Sequence, residues 1–323
     1  MRRIRPFTSE RRGFALIAAI WLLVAFAAIG LGISLHSRAR RLSAANILEE
    51  TRALAAAEAG LEHLRSRLAR LSGSSPLPAL VPAPANDPWR YASLVLSDTV
   101  PLGDQRYRVR IRDAGGSLNL NRVDEETLRR LLIALRIDAA RATDVAQAVL
   151  DWRDADDLHR LNGAEREDYI RTGASALPAN APFSRVEELQ FVHGMTPELF
   201  TRMIPLLTIV GTGQVNMNAA PRPVLLALPG MSEEAAAVVE RMKISSKPLT
   251  NLQELAVELS ADARAKFAAA TPELQRLVTF QTWELEVRSE GWNVGSAVQK
   301  RIDALVARAG GGIGGVVAWR KTS

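Results

Sequence analysis

The sequence contains no cysteine and only four histidines among its 323 residues. The lack of cysteine excludes disulfide bonds, thiol nucleophiles and cysteine-ligated metal sites. The histidines lie far apart along the chain, and no Gly-x-Ser-x-Gly, P-loop or His-Glu-x-x-His motif is present. Because no catalytic constellation can be assembled from these residues, we predict that the protein is not an enzyme.

A broad basic surface is also lacking, although the sequence pI is about 10.1 and the formal net charge is +6. Five arginines and one glutamate in residues 1–12 contribute +4, and Arg38, Arg40 and Arg41 contribute +3. The remainder of the chain is therefore close to neutral. A near-neutral surface has little to attract a phosphate backbone, so nucleic-acid binding is not expected.

A run without any charged residue extends from Phe14 to Leu35, 22 residues in all. A secretory signal has an apolar stretch of about 7 to 15 residues before a small-x-small cleavage site. This run ends in Ser34, Leu35 and His36, and about 20 helical residues cross a bilayer core. Because five arginines precede the run and three follow it, we expect a single-pass inner-membrane anchor with its C-terminal domain in the periplasm.

The apolar run begins directly after Glu10–Gly13 (ERRG). An apolar run right behind a glycine that follows two arginines resembles the prepilin peptidase site of type IV pilins and pseudopilins. That resemblance implies that residues 1–13 form a prepilin leader, removed by cleavage between Gly13 and Phe14. An uncleaved signal anchor is the alternative, because the length of the run suits both.

Helical periodicity continues beyond the apolar run. Apolar residues recur at alternating spacings of three and four, at Leu54, Ala57, Leu61, Leu64, Leu68 and Leu71. A helix over residues 14–72 would be about 90 Å long, half apolar throughout and half amphipathic, which is the signature of pilin-like proteins. A coiled-coil stalk is the alternative, but a stripe of about three heptads is short for one.

Strand patterns flank a mostly helical middle. Tyr107, Val109 and Ile111 alternate with arginines, an arrangement typical of a sheet with one solvated face. The same period returns from Trp283 to Val287, before a turn predicted at Gly291–Gly295, and two further strands follow.

These patterns predict an α+β fold in which a long N-terminal helix packs on a small antiparallel sheet that is interrupted by a large all-helical domain. The predicted domain order follows from this topology. It comprises a leader (1–13), a transmembrane and amphipathic helix (14–72), the first part of a pilin-like α/β domain (73–115), an inserted helical domain (116–277) and the C-terminal strands (278–323).

The helical middle contains two internal echoes. Ser117–Asn121 recurs as Gln214–Asn218, and His193–Thr196 recurs as Pro229–Ser232, which resembles helix-hairpin-helix turns. In DNA-binding hairpins a second glycine admits a phosphate, but here a threonine or a serine takes its place and suits an N-cap. The echoes therefore indicate stacked supersecondary units more than a DNA site.

One dense acidic cluster lies in the first half of the helical middle, at Asp151–Asp157 and again at Glu165–Asp168. Hard oxygen ligands at this density suit calcium. Measured from Asp154 as the first position of an EF-hand loop, Leu158 and His159 depart from the template. A solvated acidic loop is the alternative. The candidate ligands are Asp154, Asp156, Asp157, Glu165 and Asp168.

The order of these motifs resembles the K-type minor pseudopilins of type II secretion systems, the general secretion pathway protein K family. The resemblance rests on the cleavage junction, Gly115–Asn121, Asp151–Asp157, Pro182–Leu189 and Val215–Ala220. It implies a structural subunit that caps the tip of the periplasmic pseudopilus together with I-type and J-type minor pseudopilins and supports protein export. The implied partners also include the major pseudopilin, prepilin peptidase and the inner-membrane secretion platform, and the inserted domain is expected to bind calcium.

One residue supports the tip position physically. Most pilins carry glutamate at the fifth mature position, where it pairs with the N-terminal amine of a neighbouring subunit, whereas this chain has Ala18. An unpaired carboxylate in the bilayer is costly, and a first subunit has no neighbour ahead to supply the amine. The alternatives are a minor pilin of a type IV pilus and a membrane-tethered helix-hairpin-helix DNA-binding protein.

Overall fold

The first element is one long helix, α1 (Arg11–Gly73), in the computed structural model, which describes residues 11–73, 99–245, 247–308 and 315–323. Its 63 residues extend about 95 Å at 1.5 Å per residue. Large apolar side chains from Leu16 to Leu48 are exposed, whereas one face is buried from Ala53 onward. The helix therefore has an uncovered apolar half and a packed half. Residues 1–10 of the predicted leader and residues 74–98 lie outside the described ranges.

The packed half of α1 lies on a five-stranded antiparallel sheet of order β1-β2-β7-β8-β9. The strands are β1 (Val100–Leu102), β2 (Gln105–Asp113), β7 (Glu284–Asn293), β8 (Gln299–Arg308) and β9 (Gly315–Thr322). The alternation predicted in β2 is confirmed, because Tyr107 and Val109 are buried. Strands β2 and β7 pair although the whole helical middle separates them in sequence, and the predicted α+β fold is confirmed.

Small residues allow α1 to approach the sheet closely. A Cβ added to Gly291 of β7 would overlap the carbonyl oxygen of Ala53 and the amide nitrogen of Ala57. Two residues earlier, Ser289 Oγ donates a hydrogen bond to Ala57 O at 2.7 Å. The turn predicted at Gly291 is thus wrong at its start, because this glycine serves the helix–sheet contact and β7 continues to Asn293.

The chain between β2 and β7 forms two units with a common hydrophobic core. The first unit contains β3 (Leu118–Asn119), α2 (Glu125–Ala134), α3 (Ala139–Arg153), α4 (Arg166–Thr172), a 3₁₀ turn (Val186–Phe191), α5 (Pro197–Met203) and β4 (Leu207–Thr208). The second contains β5 (Val215–Asn216), α6 (Arg222–Ala227), α7 (Glu233–Ile244), α8 (Leu252–Val257), α9 (Ala261–Leu277) and β6 (Val278–Thr279). In each unit the first strand pairs in parallel with the last.

The asparagine echo has the same structural role in both units. Asn121 donates from Nδ2 to Phe183 O at 2.9 Å and accepts from Phe183 N at 2.7 Å. Asn218 makes the same two bonds with Leu249, each at 2.9 Å. A side-chain amide that satisfies both backbone groups of a distant residue fixes the path of that segment. The predicted repeat is therefore structural as well as sequential.

The two segments of the hairpin echo, in contrast, occupy different positions in the two units. Pro229–Ser232 connects α6 to α7, and the corresponding connection in the first unit is Leu135–Asp138, between α2 and α3. Arg136 has φ +62° there and Gly230 has φ +72°, so an arginine occupies the left-handed position where the sequence comparison required glycine. The predicted N-caps are confirmed: Thr196 Oγ1 accepts from Leu199 N and Ser232 Oγ from Ala235 N.

The two units differ most in one connection. Residues 154–182 join α3 to Phe183 in the first unit, whereas residues 245–248 make the corresponding link from α7 to Leu249 in the second. We call residues 154–182 the acidic connection, because it carries the predicted calcium ligands. It begins where α3 ends and contains α4.

The second unit is joined to the sheet through polar contacts of Asp113 at the end of β2. Asp113 Oδ2 accepts from Asn216 Nδ2 and from Thr282 Oγ1, each at 2.7 Å, while its Oδ1 accepts from Gly115 N at 2.8 Å. One carboxylate thus bonds to the second unit, to the segment entering β7 and to the segment leaving β2. Charge-assisted bonds of this kind are stronger than neutral ones.

Candidate functional site

The apolar half of α1 is the first candidate functional surface. Among the described residues, α1 is the one helix long and apolar enough to cross a membrane. Gly13 and Phe14, the predicted cleavage site, lie at the start of this helix. Ala18 follows about one turn later, and the apolar side chains around it are exposed. A surface this apolar requires a lipid or protein environment.

The outer face of the sheet does not provide a phosphate-binding strip. Arg108 pairs with Glu290 at 2.8 Å and Arg112 pairs with Glu286 at 2.5 Å, both across β2 and β7. Arg110 also lies 3.8 Å from Glu290. Arg108, Arg110 and Arg112 therefore each lie beside a carboxylate of the neighbouring strand, as expected for a solvated sheet face, whereas Arg106 donates to the carbonyl oxygens of Gly103 and Gln105.

The acidic connection contains the second candidate site, which begins at the last turn of α3. The side chain of Asp151 is fully buried there. Its neighbour Trp152 stacks on Phe183 and meets Tyr169 edge to face, with ring centroids 6.4 Å and 5.3 Å away. These aromatic contacts hold the end of α3 against α4, so the position of the Asp151 carboxylate is fixed by packing.

Arg160 supplies the positive charge for this part of the connection. Its Nη1 donates to Asp151 Oδ1 and to Asp154 Oδ2, each at 2.5 Å. Its backbone N–H also donates to Asp151 Oδ2 at 3.3 Å. Gly163 lies so close that an added Cβ would overlap Asp151 Oδ2. The chain therefore wraps tightly around one buried carboxylate.

Glu165 is a second buried carboxylate in the same place. Its residue is 1% exposed, and neither carboxylate oxygen has a hydrogen-bond partner among the described residues. Burial, followed by the negative charges of Asp151, Asp154 and Asp157, raises the pKa of Glu165 to about 7. Asp154 Oδ1 is likewise buried without a partner in the described part of the chain. Buried carboxylate oxygens without donors are costly unless a proton or a cation satisfies them.

Three other predicted ligands are already engaged. Asp156 Oδ1 accepts from Leu158 N at 2.9 Å, and Asp157 Oδ1 accepts from Asn180 Nδ2 at 2.7 Å.

Asp168 has several partners. Its Oδ2 accepts from Glu165 N at 3.0 Å, and its carboxylate pairs with His159 and Arg171. The backbone N–H of Glu165 is the main cause of the lowered pKa of Asp168. Asp168 thus functions as a helix-capping residue in this structure.

The donor chemistry fits a hard cation at part of the predicted site. Within the described ranges, no group of three or more His, Cys, Asp or Glu residues is arranged as a ready metal site. Glu165 and Asp154 nevertheless present unsatisfied buried oxygens, and carboxylate oxygens are the ligands that calcium prefers. The calcium site at Asp154, Asp156, Asp157, Glu165 and Asp168 stays a prediction, for which Asp154 and Glu165 are the members best placed.

Sequence reasoning missed two residues of this site. Asp151 lies three residues before Asp154, a spacing that places both on one side of the end of α3. A template that begins at Asp154 omits it. Arg160 gave no signal, because its contact with the two aspartates depends on the folding of the acidic connection.

Comparisons with known proteins found a family model that matches the region of the first unit and a solved structure with the same fold. Residues 111–212 match a family model described as "Type II secretion system (T2SS), protein K". The type II secretion system protein K of Klebsiella pneumoniae is 31% identical over 180 residues, which cover 50% of this chain and 55% of the relative. The protein K of Pectobacterium carotovorum is 30% identical over 138 residues, covering 40% and 42%. The chain thus spans about half the length, or less, of these curated relatives.

A solved structure shares the fold over most of the chain. It belongs to the GspK–GspI–GspJ complex of the type 2 secretion system from enterotoxigenic Escherichia coli. The match has a TM-score of 0.66 at 18% identity and covers 87% of this chain and 99% of the other. The family model and the curated relatives thus show that part of the chain is similar to protein K of type II secretion systems, and the solved structure shows that the fold is shared.

Proposed function

We propose that the protein is a structural minor pseudopilin of a type II secretion system and has no enzymatic activity. The observation that carries this proposal is the construction of α1, whose first half exposes apolar side chains while its second half packs on the sheet. An uncovered helix of this kind suits insertion into a membrane and lateral packing against the helices of other subunits. The fold shared with a chain of the GspK–GspI–GspJ complex supports I-type and J-type minor pseudopilins as partners.

The proposed location is the inner membrane, with the sheet and both helical units in the periplasm. The arginine-rich N-terminus before the span supports this orientation. Processing by prepilin peptidase between Gly13 and Phe14, contact with the major pseudopilin and contact with the inner-membrane platform complete the proposed partnership. Nucleic acid is not among the proposed partners; the near-neutral charge outside the N-terminal region and the ion pairs of Arg108 and Arg112 support this.

Two features support the proposed tip position. Ala18 places no carboxylate in the apolar segment, so the chain needs no amine from a subunit ahead of it. The helical middle occupies the chain between β2 and β7, and a bulk of this size would obstruct further stacking above it. Both features suit the first subunit of a filament.

Gene deletion and complementation test this function. Deletion is expected to abolish export of the secreted proteins of the source bacterium, and the wild-type gene is expected to restore it. Ala18→Glu introduces an unpaired carboxylate into the apolar run, so it is expected to lower export. Ala18→Ser is its matched control and is expected to leave export unchanged. Export that persists after deletion, or loss of surface pili in place of export, would contradict the proposal.

We also propose that the acidic connection binds calcium. The buried and unpartnered carboxylate of Glu165 supports this, together with Asp154 Oδ1 and the nearby buried Asp151. A bound cation would supply the positive charge that these oxygens lack. Calorimetry on the full chain in detergent is expected to show calcium binding that Glu165→Gln weakens at least about tenfold, while Glu167→Gln, an exposed neighbour, leaves it unchanged. Equal binding by all three proteins would exclude Glu165 as a ligand.

A further inference from the structure

Two arginines lie at the buried end of α3. Arg153 donates to the carbonyl oxygens of Leu120 and Val123, whereas Arg160 donates to the carboxylates. One nitrogen of Arg160, Nη1, contacts both Asp151 and Asp154. The Arg160 side chain is 33% exposed, whereas that of Asp151 is 0% exposed. The guanidinium therefore reaches inward from the surface to one fully buried carboxylate, Asp151, and one partly exposed carboxylate, Asp154.

The side chains beside Arg160 are less buried than those beside Asp151. Leu158 and Leu161 are 76% and 93% exposed, so the residues on both sides of Arg160 contribute little to the core. Asp151, in contrast, lies in α3 beside the packed ring of Trp152. If another cation takes its place at the carboxylates, an arginine on a long stem can turn into solvent, while the helix-borne carboxylate of Asp151 stays in place.

Arg160 does not satisfy all the buried carboxylate oxygens in this place. Asp151 and Asp154 share one guanidinium nitrogen, and the nearby Glu165 carboxylate has no hydrogen-bond partner in the described residues. A divalent cation that bound Asp151, Asp154 and Glu165 oxygens would carry two charges to the same place. The guanidinium of Arg160 would oppose the binding of this cation to the two aspartates, because both carry positive charge and would share the same oxygens.

We infer that Arg160 is a resident counter-ion that competes with a divalent cation for Asp151 and Asp154. Without the cation, Arg160 satisfies the two aspartates and keeps the acidic connection folded. When the cation binds, Arg160 leaves both carboxylates and turns into solvent. The arginine thus lowers the affinity for the cation and lowers the dependence of the fold on it. This inference rests on the calcium proposal above and goes beyond it by assigning the competitor.

The test is calcium titration of the detergent-solubilised full chain by calorimetry, with melting temperature as a second readout. Arg160→Gln removes the competing charge and is expected to bind calcium at least about tenfold more tightly than the wild type. Its calcium-free melting temperature is expected to fall, because Asp151 loses its partner, and its rise on adding calcium is expected to exceed that of the wild type. Arg185→Gln is the matched control, since it removes an exposed arginine that pairs with Glu187 in the same unit.

Two further variants make the outcome specific. Arg160→Lys keeps the charge in a smaller contact and is expected to fall between the wild type and Arg160→Gln, which covers the case in which Arg160→Gln folds poorly without calcium. Adding Glu165→Gln to Arg160→Gln is expected to remove the gain in affinity. If the wild type binds calcium and Arg160→Gln binds it equally or more weakly, the competition is refuted while the calcium proposal stands. If no variant binds calcium, both fail and the pseudopilin assignment is unaffected.

Discussion

Gly291→Ala tests how α1 is held on the sheet. The added methyl group would overlap Ala53 O and Ala57 N and would lie 2.9 Å from Ala56 C. These are backbone atoms of a packed helix, so no side chain can rotate away and α1 must move outward by about 1 Å. Overpacking of this kind costs about 1–3 kcal/mol, and the rigid neighbours place this case near the upper end.

The loss of glycine also lowers the entropy of the unfolded chain, which offsets up to about 1 kcal/mol. The expected net destabilisation is therefore about 2 kcal/mol. Urea unfolding of the detergent-solubilised chain, followed by tryptophan fluorescence, measures it. With a slope of about 2 kcal/mol per molar urea, the midpoint is expected to fall by about 1 M.

Arg288→Ala is the matched control for this prediction. It lies on the same strand, with its side chain 47% exposed and paired with Asp303 at 2.8 Å. An exposed ion pair contributes about 0–1 kcal/mol, so its midpoint is expected to move little. If Gly291→Ala shifts the midpoint no more than Arg288→Ala does, the close backbone approach of α1 and β7 is wrong.

Three further predictions address the helical units and the leader. Burial lowers the pKa of Lys243 to about 8, whereas in the unfolded chain this amine keeps its proton up to about pH 10.4. Between these pH values the unfolded state binds more protons, so the stability of the wild type relative to Lys243→Met is expected to rise from pH 7.5 to 9.5. Melting curves at three pH values check this, and a constant difference contradicts it. Asp113→Ala removes the carboxylate that accepts hydrogen bonds from three donors and is expected to lower the free energy of unfolding in urea by about 3 kcal/mol. The exposed Asp262→Ala is the control and is expected to lower it by about a few tenths of a kcal/mol. Equal losses would contradict the proposed link between the sheet and the helical units. Gly13→Leu is expected to block processing, so mass spectrometry should find the leader retained, whereas the wild type should start at an N-methylated Phe14; a wild-type chain that starts at Met1 would contradict the cleavage.

The elements with a regular apolar period could be predicted from the sequence. The stripe from Leu54 to Leu71 and the alternation at Tyr107 and Val109 each predict one buried face. Buried residues confirm both faces, namely Ala57, Leu61, Leu64, Leu68, Tyr107 and Val109, while the side chain of Leu71 lies outside the described ones. The asparagine echo could also be recognised in the sequence, because in both units the same asparagine side chain accepts a hydrogen bond from the backbone of a distant residue.

The remaining features depend on contacts between distant residues. The parallel pairs β3–β4 and β5–β6 are two residues long, which is too short for any periodic pattern. Arg136 adopts a left-handed conformation that glycine usually occupies. The hairpin of the first unit therefore lacks the glycine by which it could be recognised in the sequence. The pairing of Arg160 with Asp151 and Asp154 arises only when the acidic connection closes on α3.

Native mass spectrometry tests the proposed assembly directly, with the chain co-expressed with the I-type and J-type minor pseudopilins of the same bacterium and purified through a tag on the chain. We expect one complex that contains a single copy of each of the three proteins, with this chain beginning at Phe14. Recovery of the chain alone, under conditions in which the I-type and J-type proteins are folded and abundant, would contradict it.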